Sequence, residues 1–272
     1  AGVKPVYIFD GKPPELKRRT ISERVEVRAK AAAQWKKAKA AGDLEGARKY
    51  AQASSRLTEE IVEDSKRLLR AMGVPFVDAP SEGEAQAAWM AREGKVDFCS
   101  SQDYDALLFG APQLIRNLTV SGRRKLPGKN IYIEVEPELI SLEKTLEHLG
   151  IEHKQLIWIG ILIGTDFNDG VKGIGPKKAL KIVKEAKTLA DAVEASKGEF
   201  EVEPAEVEKL FLHPPVDEKV EVRFGNPDKK ELIEFLCKEH DFSDSRVEGV
   251  VDAIAKKASE KGEQSSLGKW VK

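Results

Sequence analysis

Short apolar runs that end on a carboxylate recur along this chain, and helical patterns separate them. Val6-Tyr7-Ile8-Phe9 gives way to Asp10, and the run Val96 to Ser101 gives way to Asp103 and Asp105. Strand-length apolar segments alternating with helical ones predict an α/β fold with a mostly parallel sheet flanked by helices. Ligand sites in such sheets lie beyond the carboxyl ends of the strands, which is where Asp10 and Asp103 are expected.

The remaining pattern fills in that frame. Helices are predicted over Thr20 to Ala40 and Leu44 to Met72, broken near Ala41-Gly42-Asp43, with only a thin apolar stripe on the first. Val74 to Ala79 reads as a strand, Glu82 to Arg92 as a helix, Asp105 to Phe109 as a short helix and Leu114 to Asn117 as a strand. Gly122 to Lys125 reads as a basic loop before a strand from Ile131 to Val135. Helices then dominate: 137–149, 154–163, 176–185, 189–196, 229–239 and 244–257, around a Pro- and charge-rich stretch from Val202 to Pro227.

Six acids stand in short motifs: Asp10, Glu82 and Glu84 in Pro80-Ser81-Glu82-Gly83-Glu84, Asp103 and Asp105 in Ser101-Gln102-Asp103-Tyr104-Asp105, and Asp166 in Ile163-Gly164-Thr165-Asp166. Brought together, they repel one another unless some bind protons or the group holds metal. Oxygen ligands without matching His or Cys suit Mg²⁺ or Mn²⁺, and such a site is equipped for metal-assisted phosphodiester cleavage. Each acid has an ordinary alternative. Ser81 to Glu84 spells a capping box, Asp103 can cap a helix, and an acidic first turn suits the helix dipole. Asp105 in an apolar segment and Asp166 at the end of an apolar helix are harder to explain as packing.

Cations follow the same geography. Residues 1–50 carry thirteen Lys and Arg against six Asp and Glu, although the whole chain has a formal net charge of −1. Lys17, Arg24 and Arg28 are spaced for one helical face, suited to a polyanion approaching the acids or to pairing with Glu23 and Glu26. In Val171-Lys172-Gly173-Ile174-Gly175-Pro176-Lys177-Lys178, Gly173 and Gly175 permit a tight turn before a helix opened by Pro176. Free N–H groups there, beside Lys177 and Lys178, suit a nucleic-acid phosphate. An isolated Leu267 and Trp270 in the polar tail, with Gln264 and Val271, suit docking into a partner's apolar pocket. Cys99 and Cys237 show neither a disulfide framework nor zinc spacing, and no apolar run reaches membrane-spanning length. No membrane association and a reducing, cytoplasmic setting are therefore expected, nuclear in a eukaryote.

Taken together, Phe9-Asp10-Gly11-Lys12-Pro13-Pro14, Ala79-Pro80-Ser81-Glu82-Gly83-Glu84-Ala85, Ser101-Gln102-Asp103-Tyr104-Asp105, Gly164-Thr165-Asp166 and Gly173-Ile174-Gly175-Pro176-Lys177 resemble the flap endonuclease family over nearly the whole chain. The resemblance implies a PIN-like 5′-nuclease core with a helical arch and a C-terminal helix-hairpin-helix region. It divides the chain into 1–19 and 73–150 for the nuclease region, 20–72 for the arch, 151–258 for the DNA-binding helices and 259–272 for a flexible tail. It further implies 5′ flap endonuclease and 5′–3′ exonuclease activity in replication and repair. By resemblance, Asp10, Glu82, Glu84, Asp103, Asp105 and Asp166 hold two Mg²⁺, and Lys17 and Arg24 contact the scissile phosphate. K⁺ at the glycine hairpin, DNA bearing a 5′ flap or nick, and a ring-shaped sliding clamp bound by the tail are implied as well, the chain being a monomer when off the clamp. Val271 departs from the aromatic usual in the clamp motif.

The family begins with a further segment carrying a central strand and another metal-binding Asp, whereas this sequence opens at Ala1-Gly2-Val3-Lys4-Pro5 directly into a strand. The expectation is that the 272 residues alone are inactive or unstable unless that piece is supplied. The competing readings are a related superfamily nuclease and a non-catalytic DNA- or clamp-binding scaffold.

Overall fold

The computed structural model describes residues 3–119, 122–125 and 131–259. β1 (Tyr7–Phe9) leads through a 3-10 turn at Glu15–Lys17 into α1 (Arg18–Ala40), α2 (Leu44–Ser54) and α3 (Glu59–Ala71). β2 (Phe76–Asp78), α4 (Gly83–Arg92), β3 (Cys99–Ser100), α5 (Asp105–Leu108) and β4 (Gln113–Arg116) alternate as expected. β5 (Gly122–Lys125), β6 (Tyr132–Val135) and β7 (Glu138–Ser141) precede α6 (Leu142–Leu149) and α7 (His153–Ile163). β8 (Gly164–Thr165) and β9 (Asn168–Asp169) form a tight hairpin before α8 (Pro176–Glu185), α9 (Leu189–Ser196) and α10 (Pro204–Leu212). α11 (Lys229–Ile233) runs into a π turn, Glu234–Glu239, and α12 (Asp244–Ser259) follows.

β1 pairs in parallel with β2, and β3 pairs in parallel with β4; β7 then adds antiparallel to β4. The two groups are not hydrogen-bonded to each other among the described residues. β1 and β3 instead line one cleft of about 580 Å³, with Ile8, Ala106, Ile115 and Val222 on its walls. Each therefore turns an unpaired edge toward the same space.

α1 and α2 pack mainly on each other, and α1 buries only Ala31 and Ala38. The expected single helix over 44–72 is two helices. Thr58 accepts the Ile61 N–H at 3.3 Å and, with Glu59 and Glu60 in the first turn, starts α3 afresh. The basic stretch at 122–125 is a strand, because it finds β6 across an antiparallel register from Gly122↔Val135 to Lys125↔Tyr132. The start of the expected helix over 137–149 is β7, since pairing of Leu139 with Ile115 and Ile140 with Leu114 overrides local helical pattern. α10, within the Pro- and charge-rich stretch, was not expected. Pro204 opens it, and Val207 and Phe211, one helical turn apart, are fully buried.

Around Phe109 the core joins α5 to the β8–β9 hairpin and α10. The rings of Phe109, Phe167 and Phe211 lie 4.8–6.4 Å apart, in edge-on or tilted arrangements. A second cluster seats Ile174 of the glycine turn against Trp158, Leu162, Ala179 and Val183. Gln86, fully buried in α4, exchanges hydrogen bonds with the backbone of Asp217 and so holds that segment against α4.

Candidate metal centre

Each acid reaches the site because a neighbouring apolar group is locked into the core. Asp10 follows β1, where Gly11 donates its N–H to Ser81 O at 2.7 Å. A side chain at Gly11 would meet Ala79 O at 2.0 Å, so only glycine lets the two loops cross so closely. Asp10 Oδ1 in turn accepts the Gly83 N–H at 2.7 Å. The capping box expected at Ser81 to Glu84 is therefore absent: Glu82 occupies the N-cap without a side-chain cap bond, and the cap comes from Asp10, far away in sequence. Both glutamates are thereby left for other work.

Glu84 takes the Ser101 hydroxyl in a short hydrogen bond, and the Asp103 N–H donates back to Ser101 Oγ at 3.1 Å. Asp105 opens α5, anchored by buried Ala106, Leu107 and Phe109. Asp166 sits at the turn between β8 and β9, just past α7, and buried Phe167 fixes it against Phe109. Gly170 must be glycine here, because a Cβ would lie 1.8 Å from Ile163 O.

Two cations close the front of the site. Lys17 Nζ is 2.5 Å from Glu82 Oε2 and 3.2 Å from Asp166 Oδ2. Arg24 Nη2 reaches both Asp166 carboxylate oxygens, at 2.8 and 3.0 Å. Thr20 Oγ1 donates to Asp166 O at 2.7 Å, so the base of α1 is stitched to the hairpin that carries Asp166. Burial alone would lower the pKa of Lys17, but its bonds to Glu82 and Asp166 outweigh that and leave it raised.

Electrostatics tie the acids into one group. Burial pushes Glu84 up to about 7; the Ser101 bond opposes this, and the charges of Asp105, Asp103 and Asp10 add to it. Asp105 is pushed up to about 6 by burial and by Asp166, Asp103 and Glu82, against the opposing field of Lys17. Acids from four separate segments thus feel one another. Among the described residues, no three His, Cys, Asp or Glu side chains lie at the spacing of a closed metal cage. The all-oxygen donor set nevertheless fits a hard divalent cation, because positive charge would offset the burial and, after it, the mutual repulsion that push Glu84 and Asp105 up.

Residues 73–166 match the XPG I-region and residues 1–31 the XPG N-terminal domain. Flap endonuclease 1 of Thermococcus onnurineus is 52% identical over 271 residues, covering 99% of this chain and 78% of that protein. Its counterpart in Methanosarcina barkeri is 52% identical over 269 residues, at 99% and 79% coverage. The solved flap endonuclease-1 of Methanococcus jannaschii superposes with a TM-score of 0.70 at 42% identity, over 95% of this chain and 77% of that one. The chain belongs to the flap endonuclease 1 family.

Family membership makes the chain a structure-specific, metal-dependent nuclease that hydrolyses DNA phosphodiester bonds at 5′ flaps in replication and repair. The scaffold reading accordingly gives way to the enzyme. The catalytic core of Rad2 bound to DNA substrate shares the fold, with a TM-score of 0.68 at 21% identity over 92% of this chain and 78% of that one.

As a flap endonuclease, the chain gathers all six expected acids and both expected cations in one neighbourhood. Arg28 stands exposed further along α1. Gly173, at φ +84°, and Gly175 form the turn before α8. No heavy atom beyond their chain neighbours lies within 4 Å of where a Cβ would sit, so the backbone there is open to a ligand. Lys177 and Lys178 are exposed on the first turn of that helix. Gln264, Leu267, Trp270 and Val271 lie outside the described residues. Sequence reasoning missed Thr20, Ser101 and Gly83 as parts of the site; Ser101 and Gly83 stand inside the quoted motifs, beside acids whose backbone and carboxylates they hold. No helix among the described residues is long and apolar enough to cross a membrane.

Proposed function

We propose that Asp10, Glu82, Glu84, Asp103, Asp105 and Asp166 together hold two Mg²⁺ ions, some through water, and that Mn²⁺ can replace them. The carrying observation is that Glu84 and Asp105, from different segments, are both pushed up toward neutrality by burial and by the other four acids. Ions bound there would neutralise the phosphate, polarise its oxygens and lower the pKa of a bound water. Lys17 and Arg24, already lodged over Glu82 and Asp166, then have a phosphate within reach at the mouth of the arch. Each holds a non-bridging oxygen and steadies the charge that builds on it.

The single strand passes along the arch, where Arg28 and its neighbours attract the backbone without reading bases. Gly173 and Gly175 present free N–H groups to a downstream duplex phosphate, with K⁺ alongside and Lys177 and Lys178 beside them. The tail residues Gln264, Leu267, Trp270 and Val271 dock a sliding clamp, off which the chain is a monomer, and it works beside chromosomal DNA in the cytoplasm. The cleft between β1 and β3 offers two strand edges and apolar walls to one further strand, and full activity is expected with that strand in place.

Asp105→Ala tests the metal assignment. Mg²⁺-dependent cleavage is expected to vanish, while flap DNA affinity measured with Ca²⁺ stays within about threefold. Equal loss of binding would make Asp105 a structural acid instead.

A further inference from the structure

The loop that carries Asp103 is gripped from both sides. On one side, Ser101 Oγ joins Glu84 to the Asp103 N–H. On the other stands Arg116, the last residue of β4, opposite Glu138 of β7 in the antiparallel register. Its side chain is only 23% exposed. Arg116 Nε donates to Gln102 O at 3.1 Å, and Nη1 donates to the Tyr104 hydroxyl. The guanidinium carbon lies 4.2 Å from the centroid of the Tyr104 ring, and Nη1 also sits 3.2 Å from Glu138 Oε2. The residues immediately before and after Asp103 are thus held by one planar cation.

We propose that Arg116 is a positioning residue for the metal centre, setting where Asp103 stands by fixing Gln102 and Tyr104 around it. The inference rests on the metal reading above. Outside this grip the segment has no regular backbone to hold it: β3 ends at Ser100 and α5 starts at Asp105. Freed of Arg116, the segment keeps the Ser101 bridge and two backbone bonds at its ends, Ser101 N–H to Ile115 O at 3.2 Å and Leu107 N–H to Tyr104 O at 2.9 Å. Gln102 and Tyr104 lose their side-chain clamp, and Asp103 between them can swing away from Glu84 and Asp105. The geometry calls for arginine in particular. One guanidinium donates in two directions while lying against an aromatic ring, which an ammonium cannot do. The Glu138 partner holds the fork and offsets its charge, so Arg116 acts through placement of the loop.

Outer partners that hold metal ligands in place change metal affinity about 10- to 100-fold when removed. The experiment uses the full chain and measures Mn²⁺ binding by electron paramagnetic resonance for wild type, Arg116→Ala, Arg116→Lys and Tyr104→Phe. Thermal midpoints and flap DNA affinity in chelator accompany each. Arg116→Ala is expected to weaken Mn²⁺ binding about 10-fold, with DNA affinity in chelator within about twofold of wild type. Arg116→Lys should recover only part of the loss, and Tyr104→Phe, which keeps the ring and drops one bond, should weaken binding about twofold to threefold.

Unchanged Mn²⁺ binding in Arg116→Ala overturns the proposal. So does a fall in DNA affinity in chelator without a change in Mn²⁺ binding, since that marks a phosphate contact. Should Arg116→Ala lower the thermal midpoint by about 10 °C or more, the milder Tyr104→Phe and Arg116→Lys variants decide. Absence of Mn²⁺ binding by the wild type itself would instead remove the metal reading, and this inference with it.

Discussion

Replacing Asp105 with Asn should make the metal-free protein more stable while destroying its activity. Asp105 has a pKa of about 6 in the folded protein against an ordinary 3.8, chiefly from burial and then from Asp166 and Asp103. An acid whose folded pKa is raised favours the protonated native state, so stability falls as pH rises from the unfolded value through the folded one. Above about pH 7 the full penalty applies, about 3 kcal/mol; near pH 4 the native group is protonated and the unfolded one only about half ionised, so it shrinks to about 0.5 kcal/mol. Asn carries no charge and nearly the same volume. In chelator at about pH 8, Asp105→Asn should therefore gain about 2 kcal/mol, or roughly 5 °C in thermal midpoint, and at about pH 4 almost nothing. Removing that charge also relieves Glu84, which feels Asp105, so the gain is not confined to one residue. With Mg²⁺ at about a hundred times its dissociation constant, the wild type recovers about 2.7 kcal/mol, and the order reverses. Circular-dichroism melts at both pH values, with chelator and with Mg²⁺, measure all four corners. If Asp105→Asn melts lower than wild type in chelator at both pH values, the carboxylate supports local structure and the repulsion argument is wrong.

Other consequences can be checked alongside. Gly83→Ala puts a Cβ 2.8 Å from Asp10 Oδ1, so Asp10 must lose its bond to the Gly83 N–H; a loss of about 1–2 kcal/mol in chemical denaturation and about 10-fold weaker Mn²⁺ binding are expected. Lys177→Ala with Lys178→Ala should leave cleavage of saturating substrate unchanged while lowering the slope of log affinity against log salt by about 1.8, measured by fluorescence anisotropy. An unchanged slope would show that those lysines face away from the duplex.

Local rules carried the outline a long way. β1, β2, α4 and α5 were legible because apolar runs of strand or turn length stand beside Gly, Pro and Ser. The α7–α8 connection was legible from Gly173, Gly175 and Pro176, whose backbone requirements are local. Errors came where pairing or capping depended on residues remote in sequence. Leu139 and Ile140 became strand because β4 lies beside them, Gly122 to Lys125 because β6 does, and α10 escaped notice because its two buried positions stand among prolines and charges.

The sequence alone determined which groups are available: hard carboxylates at the ends of apolar segments, cations ahead of them, and glycines where backbones must turn. Period, propensity and ligand chemistry are properties of short stretches, so they can be read without coordinates. Only the tertiary structure decided that Asp10 caps α4, that Ser101 bridges Glu84 to Asp103, and that Lys17 and Arg24 lie on Glu82 and Asp166. Those contacts join residues as much as 149 positions apart, Lys17 and Asp166, and the raised pKa values of Glu84 and Asp105 exist only once the aromatic core of Phe109, Phe167 and Phe211 has drawn their segments together.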